Sequence, residues 1–402
     1  MRNPIAVASA LTLLVTPAFA RVAPSMPAAM EEAPVSRAIE NVAQDRDLAP
    51  AQRERLLGRL HLIAYAQGRP HLTRWSNGEW QPEGVAPCGD AAYAVEGRQQ
   101  LCPFGHRGLG TRELPMEQHR NPWSFTMVDH LNQSRVHYQR ALDLDGSNLR
   151  AHVGMAYVLD ELNRDEEARA HLRQVLTLVE PLFRDGARGE YLDWEDHVVT
   201  GEALEHLKVL ARSRADRDRV SSFDHRYSVA RPSGWVTPIV VSIEDASFDA
   251  LVDIASPVSF DFAGTGDARA RGWLTPSAAW LVWDPNRRGD IQSGFDLLGQ
   301  RTWAVFWRDG FEAMRSLDDN RDGELAGSEL GGLALWRDAN SNGVSEAGEV
   351  APVSDFGVVA LSVFGAEERP GLLAAPAGVR FENGVTRPLY DWTPGYGREP
   401  TS

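Results

Sequence analysis

Asp318, Asn320, Asp322 and Glu329 occupy positions 1, 3, 5 and 12 of the stretch D-D-N-R-D-G-E-L-A-G-S-E, with Gly323 at position 6. Asp338, Asn340, Asn342, Gly343 and Glu349 repeat the arrangement in D-A-N-S-N-G-V-S-E-A-G-E. Both satisfy D-x-[DN]-x-[DN]-G-x5-E without a gap, a spacing that suits a hard divalent cation. Ca²⁺ takes six to eight oxygen donors at flexible distances, so a twelve-residue loop must fold its carboxylates and amides inward. Side chains at positions 1, 3 and 5 supply the first donors, and the glycine permits the sharp reversal. Position 7 offers its carbonyl, here that of Glu324 or Val344, and the last glutamate closes the site with both oxygens.

A weaker relative begins at Asp284, in D-P-N-R-R-G-D-I. Asn286, Gly289 and Ile291 fit positions 3, 6 and 8, but Arg288 stands at position 5, where a cation opposes a metal. Position 12 is Phe295, and Asp296 follows one residue late. This loop reads as a decayed copy kept for its turn geometry. Asp261 to Gly266 has the glycines but too few donors, and reads as a turn.

Other chemistry is hard to find. The chain contains no H-E-x-x-H, G-x-S-x-G, G-x-x-x-x-G-K-[ST] or dinucleotide fingerprint. Lys208 is the only lysine, and the 11 histidines are scattered, with His137 and His171 at equivalent repeat positions that suit packing or surface roles. No catalytic residue is nominated, and an enzyme is the less favoured reading. The alternative is a periplasmic or secreted hydrolase with an active site between domains, marked by a deep cleft and paired acids with shifted titration.

The elements that must hold these loops come from a chain of 402 residues, 43% hydrophobic, ample for two or three domains. Residues 1–20 read as an export signal: Arg2, an apolar run from Ile5 to Val15, then Ala18-Phe19-Ala20. That run is too short to span a bilayer, so the expected location is the periplasm or outside the cell. Residues 21–35 read as a flexible leader. The net charge is −15, and 25 acidic residues against 13 arginines fall in 241–402. So acidic a segment disfavours nucleic acid as a partner. Cys88 and Cys102 are the only cysteines and in an exported protein read first as a disulfide. The rival reading joins them with His106 to a metal, without a C-x-x-C pair or a fourth ligand.

Helical spacing of Leu56, Leu57, Leu60 and Ile63 opens a helical region over 36–215. A loop-rich excursion at 70–122 interrupts it, carrying a hairpin signal at Trp75–Trp80 and both cysteines. Ser134, Tyr138 and Ala141 recur as Ala168, Leu172 and Val175, each 34 residues later. From about Asn132 to Pro181 the sequence resembles a tetratricopeptide unit, although the usual Trp and turn glycine are missing. That resemblance implies a surface for a protein or peptide partner. A strand-rich connector is expected over 219–259, with Trp235–Ile243, Ala250–Ile254 and Val258–Phe262 as strands and Pro238 suiting an edge or a bulge. Trp280–Trp283 and Val358–Phe364 follow, and 366–402 reads as a tail.

Residues 260–365 resemble the EF-hand-like calcium modules of exported bacterial proteins. The likeness rests on G-W-L-T-P (272–276), W-L-V-W-D-P-N (280–286), D-L-L-G (296–299), D-G-F-E-A-M (309–314) and the full loops joined by L-W-R-D-A-N (335–340). It implies a compact domain stabilised by Ca²⁺ and no enzyme activity. Because the loops start so close together, Glu329–Arg337 is expected to be a short helix shared by both, with Leu330, Leu333, Leu335 and Trp336 on the core, and Phe311 and Met314 packing the preceding helix. Such a helix leaves little room for a sensor's opening motion, so the metal is expected to be structural. The expected class is α+β, mainly helical.

Overall fold

The computed structural model describes residues 32–67, 73–76, 79–82, 122–162, 164–183, 194–229, 236–264 and 268–395. The expected export signal, the leader before residue 32 and both cysteines lie outside the described residues. The fold is mixed α+β, with helices in the N-terminal half and a curled antiparallel sheet in the C-terminal half. Among the described residues, no helix is long and apolar enough to cross a membrane.

The first helices are α1 (Val35–Gln44) and α2 (Pro50–Gln67). Proline at the first position of α2 costs no hydrogen bond, because that amide has no partner within the helix. The last residues of the expected leader are packed: Ala33 and Val35 are buried with Leu56, Leu60 and Ile63 of α2. A short hairpin, β1 (Thr73–Ser76) and β2 (Glu79–Pro82), pairs Trp75 with Trp80 where the tryptophan signal predicts it.

Then come α3 (Pro122–Leu144), α4 (Leu149–Glu161), α5 (Asp165–Val179), α6 (Trp194–Leu210) and α7 (Arg214–Val229). Asn148 caps α4 by accepting from the Ala151 amide at 3.0 Å, and three acids begin α5, where the helix dipole favours them. Tyr138 of α3 lies where any Cβ on Gly58 or Gly154 would meet its ring, at 2.8 Å and 2.0 Å. Ser134 Oγ donates to the Gly58 carbonyl at 2.8 Å. The expected connector therefore begins as helix, since α7 runs through residue 229.

One nine-stranded sheet dominates the rest. Its order is β7 (Glu324–Ala326), β10 (Val358–Ser362), β12 (Leu372–Phe381), β13 (Thr386–Trp392), β3 (Ile239–Ser242), β6 (Ala278–Trp283), β8 (Leu333–Trp336) and β9 (Val350–Pro352), with β11 (Ala366–Arg369) against β12. A separate pair joins β4 (Val252–Phe260), which follows the one-turn helix α8 (Phe248–Leu251), to β5 (Arg269–Leu274). Two expectations fail here. The tail residues 366–392 are strands, and β3 is an interior strand between β13 and β6, with Pro238 just ahead of it.

Strand β6 is buried at every position because the sheet is covered on both faces. Val240, Trp280, Val282 and Trp336 belong to a cluster with Phe260, Phe262, Trp273 and Trp392. Ile239, Val241, Leu281 and Leu335 belong to another with Phe295, Trp303, Trp307 and Phe311, the last on α9 (Gly310–Arg315). Alternate residues thus feed two cores, which hides the strand period from the sequence.

Candidate metal centre

Loop 318–329 leaves α9, whose N-terminus is a reciprocal cap. Asp309 accepts from the Glu312 amide at 2.7 Å, and Glu312 accepts from the Arg308 amide at 2.7 Å. Phe311 and Met314 are buried, as the helical spacing predicts. The shared helix expected after the loop is absent. A 3₁₀ turn, Gly327–Leu330, leads through Gly331 and Gly332 into β8. Gly332 has φ +91°, and a Cβ there would lie 2.6 Å from the Trp283 ring, so the chain turns sharply against β6 instead of continuing as helix.

The turns of both full loops follow one pattern and differ in which amide before the glycine meets the first aspartate. Asp318 accepts from the amides of Arg321 (2.7 Å) and Gly323 (3.0 Å), and Asp338 from those of Asn342 (3.1 Å) and Gly343 (2.7 Å). Asn320 and Asn340 at position 3 accept from the amides at position 5, Asp322 and Asn342. Asp322 and Asn342 in turn accept from the amides of Glu324 and Val344 at position 7. Position 4 is left-handed in both, Arg321 at φ 60° and Ser341 at φ 55°, and the glycines at position 6 have φ 90° and 75°.

The closing glutamates match as well. Glu329 accepts from the amides of Asp319 (2.8 Å) and Ala326 (3.0 Å), at positions 2 and 9. Glu349 accepts from those of Ala339 (2.9 Å) and Glu346 (3.0 Å), at the same two positions. Asp318, Asp338 and Glu329 are buried, while Asn320, Asp322, Asn340 and Asn342 are exposed. Burial, with Glu329 and Asp322 nearby, pushes the Asp318 carboxyl above its ordinary range.

Among the described residues, no group of three or more His, Cys, Asp or Glu is arranged to hold a metal. The carboxylates here bond to backbone amides. The donor set is also mixed, since Asn320, Asn340, Asn342 and the carbonyls of Glu324 and Val344 are neutral oxygens. Neutral and anionic oxygens together are what calcium accepts, so the residues fit that ion in kind.

Loop 338–349 is tied into an aromatic cluster that sequence reasoning missed. Trp273 Nε1 donates to Asp338 Oδ2 at 2.7 Å, and Trp273 packs edge-on to Trp280 and Trp336. The tryptophan of G-W-L-T-P was the available signal. The loop at Asp284 keeps the same turn: Asp284 accepts from the amides of Arg288 (2.8 Å) and Gly289 (2.9 Å), with Arg287 left-handed at φ 52°. Phe295, in place of the closing glutamate, is fully buried, and Asp296 instead accepts from the amides of Gln292 and Ser293. Burial pushes the Asp296 carboxyl up to about 6. The Ile291 amide donates to Ser345 Oγ at 2.9 Å, so the eighth positions of this loop and loop 338 meet.

Between the helices and residues 305–306 lies a small, partly open pocket lined by Arg55, Arg59, Arg150, Tyr138 and Glu202 among others. Its lining carries three guanidinium groups and one carboxylate. The histidines at equivalent repeat positions are partly buried: His137 bonds Glu54 at 2.7 Å, and His171 meets His152 at 2.8 Å.

Residues 240–381 match the SPM domain family. The match begins at β3 and ends with β12, so it contains all three loops but stops short of β13. It covers less than half of the chain. A 109-residue stretch is 31% identical to the iron-regulated protein FrpA of Neisseria meningitidis serogroup C. That stretch is 26% of this chain, and the chain spans about a tenth of the length of this relative.

Proposed function

We propose that this is an exported calcium-binding protein in which Ca²⁺, held by loops 318–329 and 338–349, stabilises the sheet-bearing half of the chain. What supports the reading above all is the turn pattern shared by the two loops, including a terminal glutamate folded back to positions 2 and 9. Asp318, Asn320, Asp322, the Glu324 carbonyl and Glu329 would hold one ion. Asp338, Asn340, Asn342, the Val344 carbonyl and Glu349 would hold the other. Bound calcium supplies positive charge that offsets the repulsion among these carboxylates. The resemblance of this half to EF-hand-like modules extends to the loops and not to flanking helix pairs. The helical region, tetratricopeptide-like in its repeat, acts in this reading as a scaffold for a protein or peptide partner.

Extracellular calcium modules bind with Kd near 10⁻⁴–10⁻³ M. At a Kd of about 10⁻⁴ M, millimolar calcium adds roughly 1.4 kcal/mol of stability per site. Calorimetric titration and thermal melts of the wild type, Glu329→Gln and Glu349→Gln test this. The reading requires two sites in the wild type, one in each variant, and a melting temperature that rises with calcium. Melting indifferent to several millimolar calcium would end it.

A further inference from the structure

The N-terminal segment is fastened to two of the three loops. Arg37 of α1 donates through Nε to Asp319 Oδ1 at 2.7 Å and through Nη2 to the Leu317 carbonyl, with the Glu329 carbonyl at 3.5 Å. Asn41, buried one turn on, donates to the Ser316 carbonyl at 3.0 Å and to Asp319 Oδ1 at 2.9 Å. These contacts grip the backbone on both sides of loop 318–329, just before position 1 and at position 12. Asp319 is thereby turned toward α1. Three residues before α1, Glu32 reaches the loop at Asp284: its carboxylate accepts from Asn286 Nδ2 at 2.7 Å and pairs with Arg288 Nη2 at 2.8 Å. Its carbonyl accepts from Trp283 Nε1 at 3.0 Å.

We propose that docking of α1 is linked to calcium in loop 318–329, so that the ion fastens the N-terminal helix to the sheet and the helix in turn tightens the ion's site. This rests on the calcium reading of that loop. The coupling follows from geometry: α1 holds the carbonyls of Ser316 and Leu317, which set where Asp318 begins the loop, and approaches the carbonyl of its last ligand residue. A backbone held in ligating form by α1 loses less freedom when the ion enters, and linkage makes the effect mutual. The loop at Asp284 anchors the same segment without metal, because the Arg288 guanidinium answers the Glu32 carboxylate there.

Asn41 is the discriminating residue. Removing Arg37 would relieve repulsion of the incoming cation while loosening the loop, two opposed effects, whereas Asn41 is neutral and contributes order alone. In the full chain carrying Glu349→Gln, calorimetric titration with CaCl₂ reads loop 318 by itself. Asn41→Ala should weaken that binding about fivefold, the lower end of ordinary couplings. In the chain carrying Glu329→Gln, which reads loop 338, the same substitution should leave affinity unchanged. Independently of any variant's folding, amide exchange of the wild type at residues 35–44 should slow on adding calcium. Unchanged affinity on losing Asn41, or exchange at 35–44 blind to calcium in a chain that does bind it, overturns the linkage while the proposed function stands. A wild type that binds no calcium overturns both.

Discussion

Loops 318 and 284 have nearly the same backbone and opposite interiors. Each starts with a buried aspartate that accepts from the glycine amide at position 6, and each has a left-handed residue at position 4. From there they diverge. Loop 318 offers Asp322 at position 5, an amide at position 2 and Glu329 at position 12; loop 284 offers Arg288, Pro285 and Phe295. Pro285 has no N–H to hold a returning carboxylate, and Phe295 is buried in the core. The turn is thus specified by positions 1 and 6, whereas the two loops differ in capacity for a cation at positions 5 and 12. The first survives without the second, and an arginine–glutamate pair stands where the ion's charge would be.

The largest effect should come from Asp391, because it separates the loops by what feeds them. Loop 318 is fed by α9, whose first amide, Gly310 N, donates to Asp391 Oδ2 at 2.6 Å; loops 284 and 338 are fed by strands. Burial, reinforced by Asp309, pushes the Asp391 carboxyl from 3.8 up to about 8. The raised pKa leaves the folded form neutral between those limits while the unfolded chain is charged. Unfolding therefore releases a proton, and stability falls as pH rises from about 4 to about 8, by about 1.4 kcal/mol per pH unit. Urea midpoints across this range should fall for the wild type and run flatter for Asp391→Asn, which becomes the more stable protein at alkaline pH. Parallel profiles would show that Asp391 ionises normally.

Next in size is a glycine contrast at position 11. A Cβ on Gly294 of loop 284 would sit 1.9 Å from the Phe262 carbonyl oxygen, whereas Gly348 of loop 338, at φ +92°, has nothing within 4 Å. Gly294→Ala should cost about 3 kcal/mol and Gly348→Ala about 1 kcal/mol in denaturant unfolding. Equal losses would mean that the two loops are packed alike.

A smaller effect tests the interiors directly. Glu329→Gln should remove roughly 1.4 kcal/mol of calcium-dependent stability at millimolar ion, while Asp296→Asn leaves that increment intact. Loss of the increment in both would make loop 284 a metal site after all. The smallest effect is expected for Arg288→Ala, which breaks a half-exposed pair with Glu32. Such pairs contribute below about 1 kcal/mol, and the loss should be the same with calcium or chelator.

The loops were legible because their chemistry is local: each donor is fixed by its offset from an aspartate and a glycine. The burial of Phe311 and Met314 was legible from helical spacing for the same reason. What lies between the loops was not. L-A-L-W is too short for a period to tell helix from strand, and its neighbours Gly331 and Gly332 carried the decisive signal. Residues 372–381 interrupt any alternation with Pro376 and Gly378, and the pairing of β12 with β13 shifts register between Ala375 and Val379. The contacts of Trp273 with Asp338 and of Asn41 with Asp319 join residues far apart in the chain, and no local pattern encodes them.

The position of β13 has a practical consequence. It lies between β12 and β3, so it is the seam joining the two halves of the sheet. A fragment cut to the matched boundary at residue 381 would lose that seam and present two raw strand edges, each open to another copy. Fragments that stop there should clump, and those carried on through Trp392 should stay dispersed.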